Sequence, residues 1–266
     1  MPQDLNITLI QSDLHWQSIE ANLAMFEEKI WQIQAPSDLI ILPEMFNTGF
    51  NMEVETLSEP MNSKTFRWMK QMAQQTKAVV TGSYIVREGS AFFNRLIWME
   101  PDGNYNFYDK RHLFRMAEEH QKFSAGKKRM VRDLKSWKIC PLVCYDLRFP
   151  AWARNQVNKA TGELDYDLLL FVANWPQGRI NAWNILLKAR SVENLCFTVG
   201  VNRVGEDGKG IAYNGNSQVI NPKGEKISDL GIEQKMETVT LNYEELKHLR
   251  EKFPTFLDAD EFEINL

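Results

Sequence analysis

Short apolar runs alternate with amphipathic segments along most of the chain, and this alternation limits the folds that it can adopt. Residues 5–10 and 39–42 are apolar runs of the length expected for β-strands. Between them, apolar residues recur every three or four positions from Ile19 to Ile33, which predicts an amphipathic helix capped near Ser18. The chain is therefore predicted to open with a strand, a helix and a strand buried on both faces.

The same alternation continues along the rest of the sequence. Helices are predicted around residues 66–73, 149–156 and 181–195. Strands are predicted at residues 78–86, 91–100, 105–108, 137–143, 167–173 and 196–201. The Pro-Asp-Gly-Asn sequence at 101–104 is a strong turn signal, so the two strands that flank it are predicted to form a hairpin.

These elements predict one α/β domain over residues 1–266. The sequence has no fixed repeat, no low-complexity linker and no break in composition at which a boundary could be placed. Hydrophobic residues make up 44% of the chain, which is enough for a sizeable core without disulfides. Sheets with helices on their outer faces fit the pattern, but a doubly wound sheet fits it equally well.

The net charge and the cysteine content limit the binding partners and the cellular compartment that we expect for this protein. Lys and Arg total 31 against 35 for Asp and Glu, so the net charge is −4 and a nucleic-acid partner is not expected. Three cysteines are too few for a disulfide framework, which favours a reducing compartment. We see no secretory signal, and no apolar run approaches the roughly 20 residues that cross a bilayer. A cytoplasmic protein without a membrane partner is therefore expected.

Three reactive side chains follow predicted strands. Glu44 comes after residues 39–42, Lys110 after 105–108 and Cys144 after 137–143. Sites assemble at the carboxyl ends of strands in layered α/β proteins, so a carboxylate, an amine and a thiol at three such ends predict a catalytic site. Taken singly, each has an ordinary explanation, because a thiol in an apolar run is usually core filler and a loop Glu or Lys is usually solvated.

The segments around these residues resemble those of the carbon-nitrogen hydrolase family, also called the nitrilase superfamily. The shared segments are Leu-Pro-Glu-Met-Phe at 42–46, Tyr-Asp-Lys-Arg-His-Leu-Phe at 108–114, Cys-Tyr-Asp-Leu-Arg-Phe-Pro at 144–150 and Asn-Trp-Pro at 174–176. The resemblance implies a four-layer α-β-β-α sandwich, a Glu44, Lys110 and Cys144 triad, no metal or organic cofactor, and a homodimer or higher homo-oligomer. Within the family, the segments are most similar to the omega-amidase branch, whose members deamidate short dicarboxylate monoamides such as 2-oxoglutaramate and 2-oxosuccinamate.

The resemblance also implies a role for each member of the triad. An unperturbed thiol titrates near pH ~8.5, so Cys144 needs a base to supply thiolate at neutral pH, and Glu44 would be that base. Lys110 and the backbone N–H of Tyr145 would stabilise the oxyanion that forms when the thiol attacks an amide carbonyl. The substrate would be a small amide.

A second glutamate completes the site in family members, a few residues before a glycine that closes the loop. Here Glu118 and Glu119 precede Gly126, and counting back from the glycine favours Glu119. We therefore expect Glu119 to be the fourth member of the catalytic site.

Four residues are predicted to contact the substrate: Phe46, Arg115, Tyr145 and Trp175. Trp175 lies between Asn174 and Pro176 after a buried strand, where a pocket wall and a simply packed tryptophan are equally plausible.

Arginines at 115, 148 and 179 could each present two parallel N–H donors to a substrate carboxylate. An ordinary ion pair is the simpler explanation for each, above all for Arg148 beside Asp146. Arg190 and Glu193, three apart on a predicted helix, are expected to pair with each other.

Other chemistries stay open on the residues alone. His112 or His120 could pair with Cys144 as in papain-like enzymes. A zinc site from Cys140 and Cys144 is unfavourable, since four residues of strand separate them by roughly 13 Å. Cys140 and Cys196 are therefore expected to be packed core thiols. Two alternative functions are a different carbon–nitrogen hydrolase specificity, such as a nitrile or a carbamoyl amine, and a catalytically idle scaffold.

Overall fold

The computed structural model describes residues 3–158 and 161–265. The helices are α1 (Ile19–Trp31), α2 (Val54–Leu57), α3 (Lys64–Thr76), α4 (Glu119–Lys122), α5 (Pro150–Ala153), α6 (Ile180–Asn194) and α7 (Tyr243–Lys252). The strands are β1 (Leu5–Gln11), β2 (Leu39–Ile41), β3 (Glu59–Pro60), β4 (Val79–Glu88), β5 (Ala91–Met99), β6 (Tyr105–Asp109), β7 (Arg132–Leu134), β8 (Trp137–Val143), β9 (Leu168–Val172), β10 (Phe197–Val201), β11 (Val204–Glu206), β12 (Ala212–Asn214), β13 (Gln218–Ile220), β14 (Lys226–Asp229) and β15 (Lys235–Leu241).

The first sheet has the order β15-β1-β2-β4-β5-β6, with the short β3 paired to β4. Strands β1, β2 and β4 are parallel, whereas β5 and β6 continue the sheet as an antiparallel meander. The predicted hairpin at residues 101–104 is confirmed, with Met99 paired to Tyr105. Two reversals of direction make β6 parallel to β2, so the carboxyl ends of β2 and β6 lie at the same edge.

The second sheet has the order β14-β13-β10-β9-β8-β7. Its central strands β8, β9 and β10 are parallel, and the continuous apolar sequence of β9 is typical of a strand buried on both faces. The residues that follow β8 and β9 therefore emerge side by side. Strands β11 and β12 form a separate hairpin.

The two sheets pack face to face, with helices on both outer faces. Strand β1 contacts β10, and β5 contacts β8, through one shared apolar core. On the first sheet, Phe26 of α1 and Met69 of α3 pack over Ile40 and Val80. The four-layer α-β-β-α sandwich is confirmed, and the alternative of one doubly wound sheet is not what the chain adopts.

Helix α6 covers the second sheet at close range. A Cβ atom built on Gly200 of β10 would lie 2.5 Å from the Trp183 ring and 2.6 Å from Leu187. Glycine is required there because the helix packs directly on the strand backbone.

Two local predictions need correction. The first helix begins after Ser18 as expected, but the Ser18 side chain makes no capping hydrogen bond. The helix predicted at 149–156 spans only Pro150–Ala153. The backbone N–H of Asn155 donates to Asn194 at 2.9 Å, and its side chain exchanges hydrogen bonds with the backbone of Tyr166, so the chain is tied to neighbouring segments instead of continuing the helix.

Within the part of the chain that the structure describes, none of the helices combines the length and the apolar composition needed to cross a membrane.

Candidate active site

The structure brings together the three reactive side chains that follow predicted strands. Lys110, which directly follows β6, places its Nζ 2.8 Å from Oε1 of Glu44, beyond the end of β2. Cys144 directly follows β8, and its thiol lies near enough to Glu44 and Lys110 for both charges to act on its pKa. The first sheet therefore supplies the carboxylate and the amine, and the second supplies the thiol.

The Cys144 backbone adopts a left-handed conformation with φ of +46°. Such a conformation costs a non-glycine residue on the order of 1–3 kcal/mol and persists only where the surroundings impose it. Here Cys144 turns the chain from β8 into a 3₁₀ helix, Cys144–Arg148. The carboxylate of Asp146 accepts the backbone N–H of Val143 at 3.1 Å and that of His112 at 2.9 Å, which ties this turn to the lysine segment.

Glu119 lies beside Lys110, whereas Glu118 is exposed. The Glu119 carboxylate accepts two hydrogen bonds from Lys110, at 2.9 and 3.1 Å, and one from the backbone N–H of Phe114 at 2.6 Å. Glu118 has a left-handed backbone conformation and lies just outside α4. The geometry thus places Glu119, and not its neighbour, in the cluster.

Asn94 is a member of the cluster that sequence reasoning missed. Its Nδ2 donates to Oε1 of Glu44 at 2.8 Å and to Oε1 of Glu119 at 3.3 Å. The backbone oxygen of Asn94 accepts the backbone N–H of Lys110 at 3.0 Å, because the register of the β5–β6 hairpin sets the two residues opposite each other. A signal was present, since Asn94 is a polar residue within an otherwise largely apolar strand.

A second contact that the sequence did not reveal comes from the backbone. The N–H of Asn174, in the loop after β9, donates to Oε2 of Glu44 at 2.8 Å. The Asn174 side chain also donates to the Glu44 carbonyl oxygen. Both sheets therefore fix the orientation of the Glu44 carboxylate.

Burial and charge act together on the titrating groups. Burial alone would lower the pKa of Lys110, but Glu119 and Glu44 outweigh it and raise that pKa, so the amine stays an ammonium ion. Burial, opposed by Lys110 and reinforced by Glu44, raises the pKa of Glu119. Burial and the nearby Glu44 raise the pKa of the Cys144 thiol well above its ordinary value. The resting thiol is consequently protonated.

A cavity of about 290 Å³ opens onto the thiol. Its walls combine aromatic and apolar side chains with a few polar groups, as in small-molecule sites generally. The lining includes Phe50, Met52, Lys110, Phe114, Cys144, Tyr145, Arg148, Asn174, Trp175, Pro176, Arg179, Asp207, Lys209, Ile211 and Tyr213. Of the predicted substrate-contacting residues, Tyr145 and Trp175 line this cavity.

Two residues predicted to contact the substrate lie elsewhere. Phe46 is fully buried and packs against Phe26 and Trp68 beneath the helices of the first sheet. Its apolar character in the Leu-Pro-Glu-Met-Phe segment therefore reflects core packing. Arg115 is exposed and is absent from the cavity wall, where its neighbours Met116 and Ala117 are present.

Arg148 and Arg179 do line the cavity. The Arg148 guanidinium lies 5.0 Å from the centre of the Trp175 ring, and that of Arg179 lies 5.2 Å from the centre of the Phe114 ring. Neither takes part in an ion pair among the described residues, and Asp146 instead binds Tyr108 and His112. The expected pair of Arg190 and Glu193 is confirmed at 2.8 Å.

The remaining histidines and cysteines occupy other places. His112 stacks on Phe149 at 3.7 Å and contacts Asp146, while His120 is exposed, so neither lines the cavity. Cys140 and Cys196 are completely buried in the core. Over residues 3–158 and 161–265, the His, Cys, Asp and Glu side chains form no group of three that could hold a metal ion.

Comparison with known proteins places this geometry in a family. The sequence pattern of the carbon-nitrogen hydrolase family matches residues 6–251. The chain is 46% identical to an omega-amidase of Escherichia coli (YafV) over 98% of each chain, and 29% identical to a 2-oxoglutaramate amidase of Bacillus subtilis over 95% of this chain and 96% of that one.

A solved structure has the same fold. It is a CN-hydrolase superfamily protein of Xanthomonas campestris with an arsenic adduct in its active site, 42% identical in sequence. It superposes with a TM-score of 0.96 over 99% of this chain and 100% of the other. The chain therefore belongs to the carbon-nitrogen hydrolase family.

Proposed function

We propose that the protein is a thiol amidohydrolase that releases ammonia from short omega-amides of dicarboxylates. Its family and its omega-amidase relatives make it an amide-hydrolysing enzyme. The observation that carries the mechanism is the Cys144 thiol, which lines a cavity together with Lys110 and lies near the buried Glu44.

Acylation begins when Glu44 accepts the proton of the Cys144 thiol and the sulfur attacks the amide carbonyl carbon. The electron pair displaced onto the carbonyl oxygen is stabilised by the ammonium of Lys110 and the backbone N–H of Tyr145. Glu44 then passes its proton to the amide nitrogen. The carbon–nitrogen bond breaks, ammonia leaves, and the acyl group remains on Cys144 as a thioester.

Deacylation reverses the roles of the same groups. Glu44 takes a proton from water while the water oxygen attacks the thioester carbonyl, and Lys110 again stabilises the oxyanion. The carbon–sulfur bond breaks and the departing sulfur regains the proton from Glu44. The free acid is released and the resting thiol is restored.

Arg148 and Arg179 support a substrate that carries a carboxylate. Both guanidinium groups lie on aromatic rings of the cavity wall and have no ion-pair partner among the described residues. A guanidinium held in this way can donate two parallel hydrogen bonds to a carboxylate. The names of the omega-amidase and 2-oxoglutaramate amidase relatives agree with such a substrate.

The proposal is tested by measuring ammonia release from a matched set of compounds. The set contains 2-oxoglutaramate, succinamate, butyramide as a chain of similar length without a carboxylate, a short nitrile and a carbamoyl amine. We expect turnover of the first two and little of the others. Cys144→Ala should remove the activity, whereas Cys140→Ala should retain it. Turnover by the Cys144→Ala protein, or preference for the nitrile, would contradict the proposal.

The carboxylate site has its own test in Arg179→Gln. Losing a hydrogen bond between charged groups costs about 1.5–3 kcal/mol, so KM for succinamate should rise roughly 10- to 100-fold. The slow hydrolysis of butyramide should not change. Arg115→Gln is the matched control, because Arg115 is exposed and outside the cavity. An equal effect of both substitutions would exclude a specific role for Arg179.

A further inference from the structure

Asn94 is the one neutral side chain that bonds both carboxylates of the catalytic cluster among the described residues. It is 1% exposed and lies on β5, opposite Lys110 in the hairpin. Its Nδ2 lies 2.8 Å from Oε1 of Glu44 and 3.3 Å from Oε1 of Glu119. It does not line the cavity, and its side-chain nitrogen is directed at the two carboxylates.

The two oxygens of Glu44 have unequal numbers of partners. Oε1 accepts hydrogen bonds from Lys110 and from Asn94, both at 2.8 Å, whereas Oε2 accepts one from the backbone N–H of Asn174. A carboxylate oxygen has two lone pairs, so Oε1 is fully occupied and Oε2 keeps one lone pair free. Without Asn94, both oxygens would have a free acceptor site.

The contact with the carboxylates leaves the side-chain oxygen of Asn94 without a hydrogen bond. Its Oδ1 is buried and has no hydrogen-bond partner among the residues that the structure describes, which is unfavourable for a polar atom. Rotating the amide by 180° would not relieve this, because Oδ1 would then face two carboxylates. The contact with Glu44 and Glu119 is therefore the interaction that fixes the orientation of the side chain.

We propose that Asn94 is a positioning residue that holds the carboxylates of Glu44 and Glu119 so that Glu44 Oε2 receives the thiol proton of Cys144. This inference rests on the proposed role of Glu44 as the base. The titratable groups that face Glu44 are Lys110 from β6, Glu119 from α4, Cys144 from β8 and Tyr213 from β12. Asn94 supplies a neutral side-chain donor beside them.

The experiment measures alkylation of Cys144 by iodoacetamide in the native protein from pH 5 to 10, read by peptide mass spectrometry. It needs no substrate, so it does not depend on the proposed specificity. In Asn94→Ala the Glu44 carboxylate loses a donor that fixes its orientation toward the thiol, so less thiolate forms at a given pH. The pH of half-maximal rate should rise by about one unit, with a roughly tenfold slower reaction at pH 7. Asn94→Asp adds a negative charge and should shift the profile at least as far.

Asn47→Ala is the matched control. Asn47 is also 1% exposed, its Nδ2 donates to the carboxylate of Glu59, and its Oδ1 also lacks a partner, but its amide does not contact the triad. It should lower stability without moving the alkylation profile. If the alkylation profile of Asn94→Ala is the same as that of the wild type, or if Asn47→Ala shifts the profile equally, the proposal is overturned. If Asn94→Asp does not fold, the alkylation profile of Asn94→Ala alone tests the proposal, because alanine places no charge in the buried site.

Steady-state hydrolysis gives a second measurement. Because Asn94 is outside the cavity wall, Asn94→Ala should lower kcat by roughly tenfold or more while KM stays within about twofold. A rise in KM with kcat unchanged would overturn a positioning role. If the wild-type protein does not hydrolyse omega-amides at all, the proposed substrate fails, but the alkylation profile still decides the role of Asn94.

Discussion

Glu118 and Glu119 are neighbours in sequence that lie in opposite environments, and the difference is directly testable. Glu119 is fully buried and binds Lys110 at 2.9 Å, whereas Glu118 is exposed. Glu119→Gln should lower kcat about 10²-fold, because Lys110 loses an ionic contact that orients it toward the oxyanion. Glu118→Gln should leave kcat unchanged. Ammonia release under saturating omega-amide measures both.

Stability distinguishes this loss of activity from unfolding. Burial raises the pKa of Glu119, so its charged form lowers the free energy of unfolding at neutral pH. That penalty disappears as the pH falls through the raised pKa and the carboxyl group becomes protonated. Glu119→Gln removes the charge, so the variant should stay folded at pH 7 by circular dichroism. The reverse order, with Glu118→Gln inactive and Glu119→Gln active, would be incompatible with this site.

At the residue scale, the sequence predicts groups whose chemistry is distinctive and misses those that act through geometry. Glu44, Lys110 and Cys144 could be predicted because each reactive side chain follows a strand and lies in a segment that resembles the carbon-nitrogen hydrolase family. Asn94 is visible only as a polar residue in a largely apolar strand, which does not reveal its role, because that role depends on the register of the hairpin. Phe46 was misplaced because its segment does not reveal that the side chain points away from the cavity and into the core.

At the scale of elements, Gly126 fixes the distance between the loop after α4 and the end of β6. A Cβ atom at this position would lie 1.9 Å from the backbone oxygen of Asp109, and the Gly126 N–H donates to the Lys110 oxygen at 3.0 Å. Gly126→Ala must therefore push the Lys110 backbone away. We expect a loss of about 3 kcal/mol in the free energy of unfolding, or roughly 6–12 °C in Tm, together with lower kcat.

Gly178→Ala provides the comparison. A Cβ atom on Gly178 meets nothing within 4 Å, and its backbone conformation suits any residue. Differential scanning calorimetry should show a Tm within about 2 °C of the wild type, because a surface substitution of this kind changes stability by no more than about 0.5 kcal/mol. If Gly126→Ala were equally harmless, the close contact with Asp109 would not constrain Lys110.

Prediction of the elements themselves succeeded where periodicity was long or burial was continuous. Helices α1, α3 and α6 and the central strands of both sheets fall where the apolar spacing places them. Strands β11 to β14 have three or four residues each, too few for an alternating pattern to be recognised. The pairing of strands into two sheets is set by long-range contacts, which a local pattern does not encode.

At the scale of the whole molecule, the site exists only when the two sheets are packed together. Glu44, Asn94 and Lys110 come from the first sheet, and Cys144 and Asn174 from the second. The hydrogen bond from the Asn174 N–H to Glu44 crosses between the sheets at 2.8 Å. Catalytic geometry and global folding are therefore linked, and loss of sheet packing should remove the activity without any change at the triad itself.

The reactivity of the three thiols reports whether the two sheets are packed together. Cys140 and Cys196 are fully buried, and burial raises the pKa of each to about 12, so the native protein presents neither access nor thiolate. Cys144 also has a raised pKa, but it lines the cavity, and in the proposed mechanism Glu44 accepts its proton. Iodoacetamide should therefore modify Cys144 in the native protein and leave the other two thiols unmodified.

A urea titration distinguishes the local opening of one segment from the unfolding of the whole protein. If the sandwich unfolds as one unit, Cys140 and Cys196 should become reactive together, at the urea concentration where circular dichroism and activity are both lost. Native alkylation of Cys144 should not change that midpoint by much, because the cavity has room for the added group. Modification of Cys196 well before Cys140 would mean instead that helix α6 and strand β10 separate from the second sheet before the rest of the fold is lost.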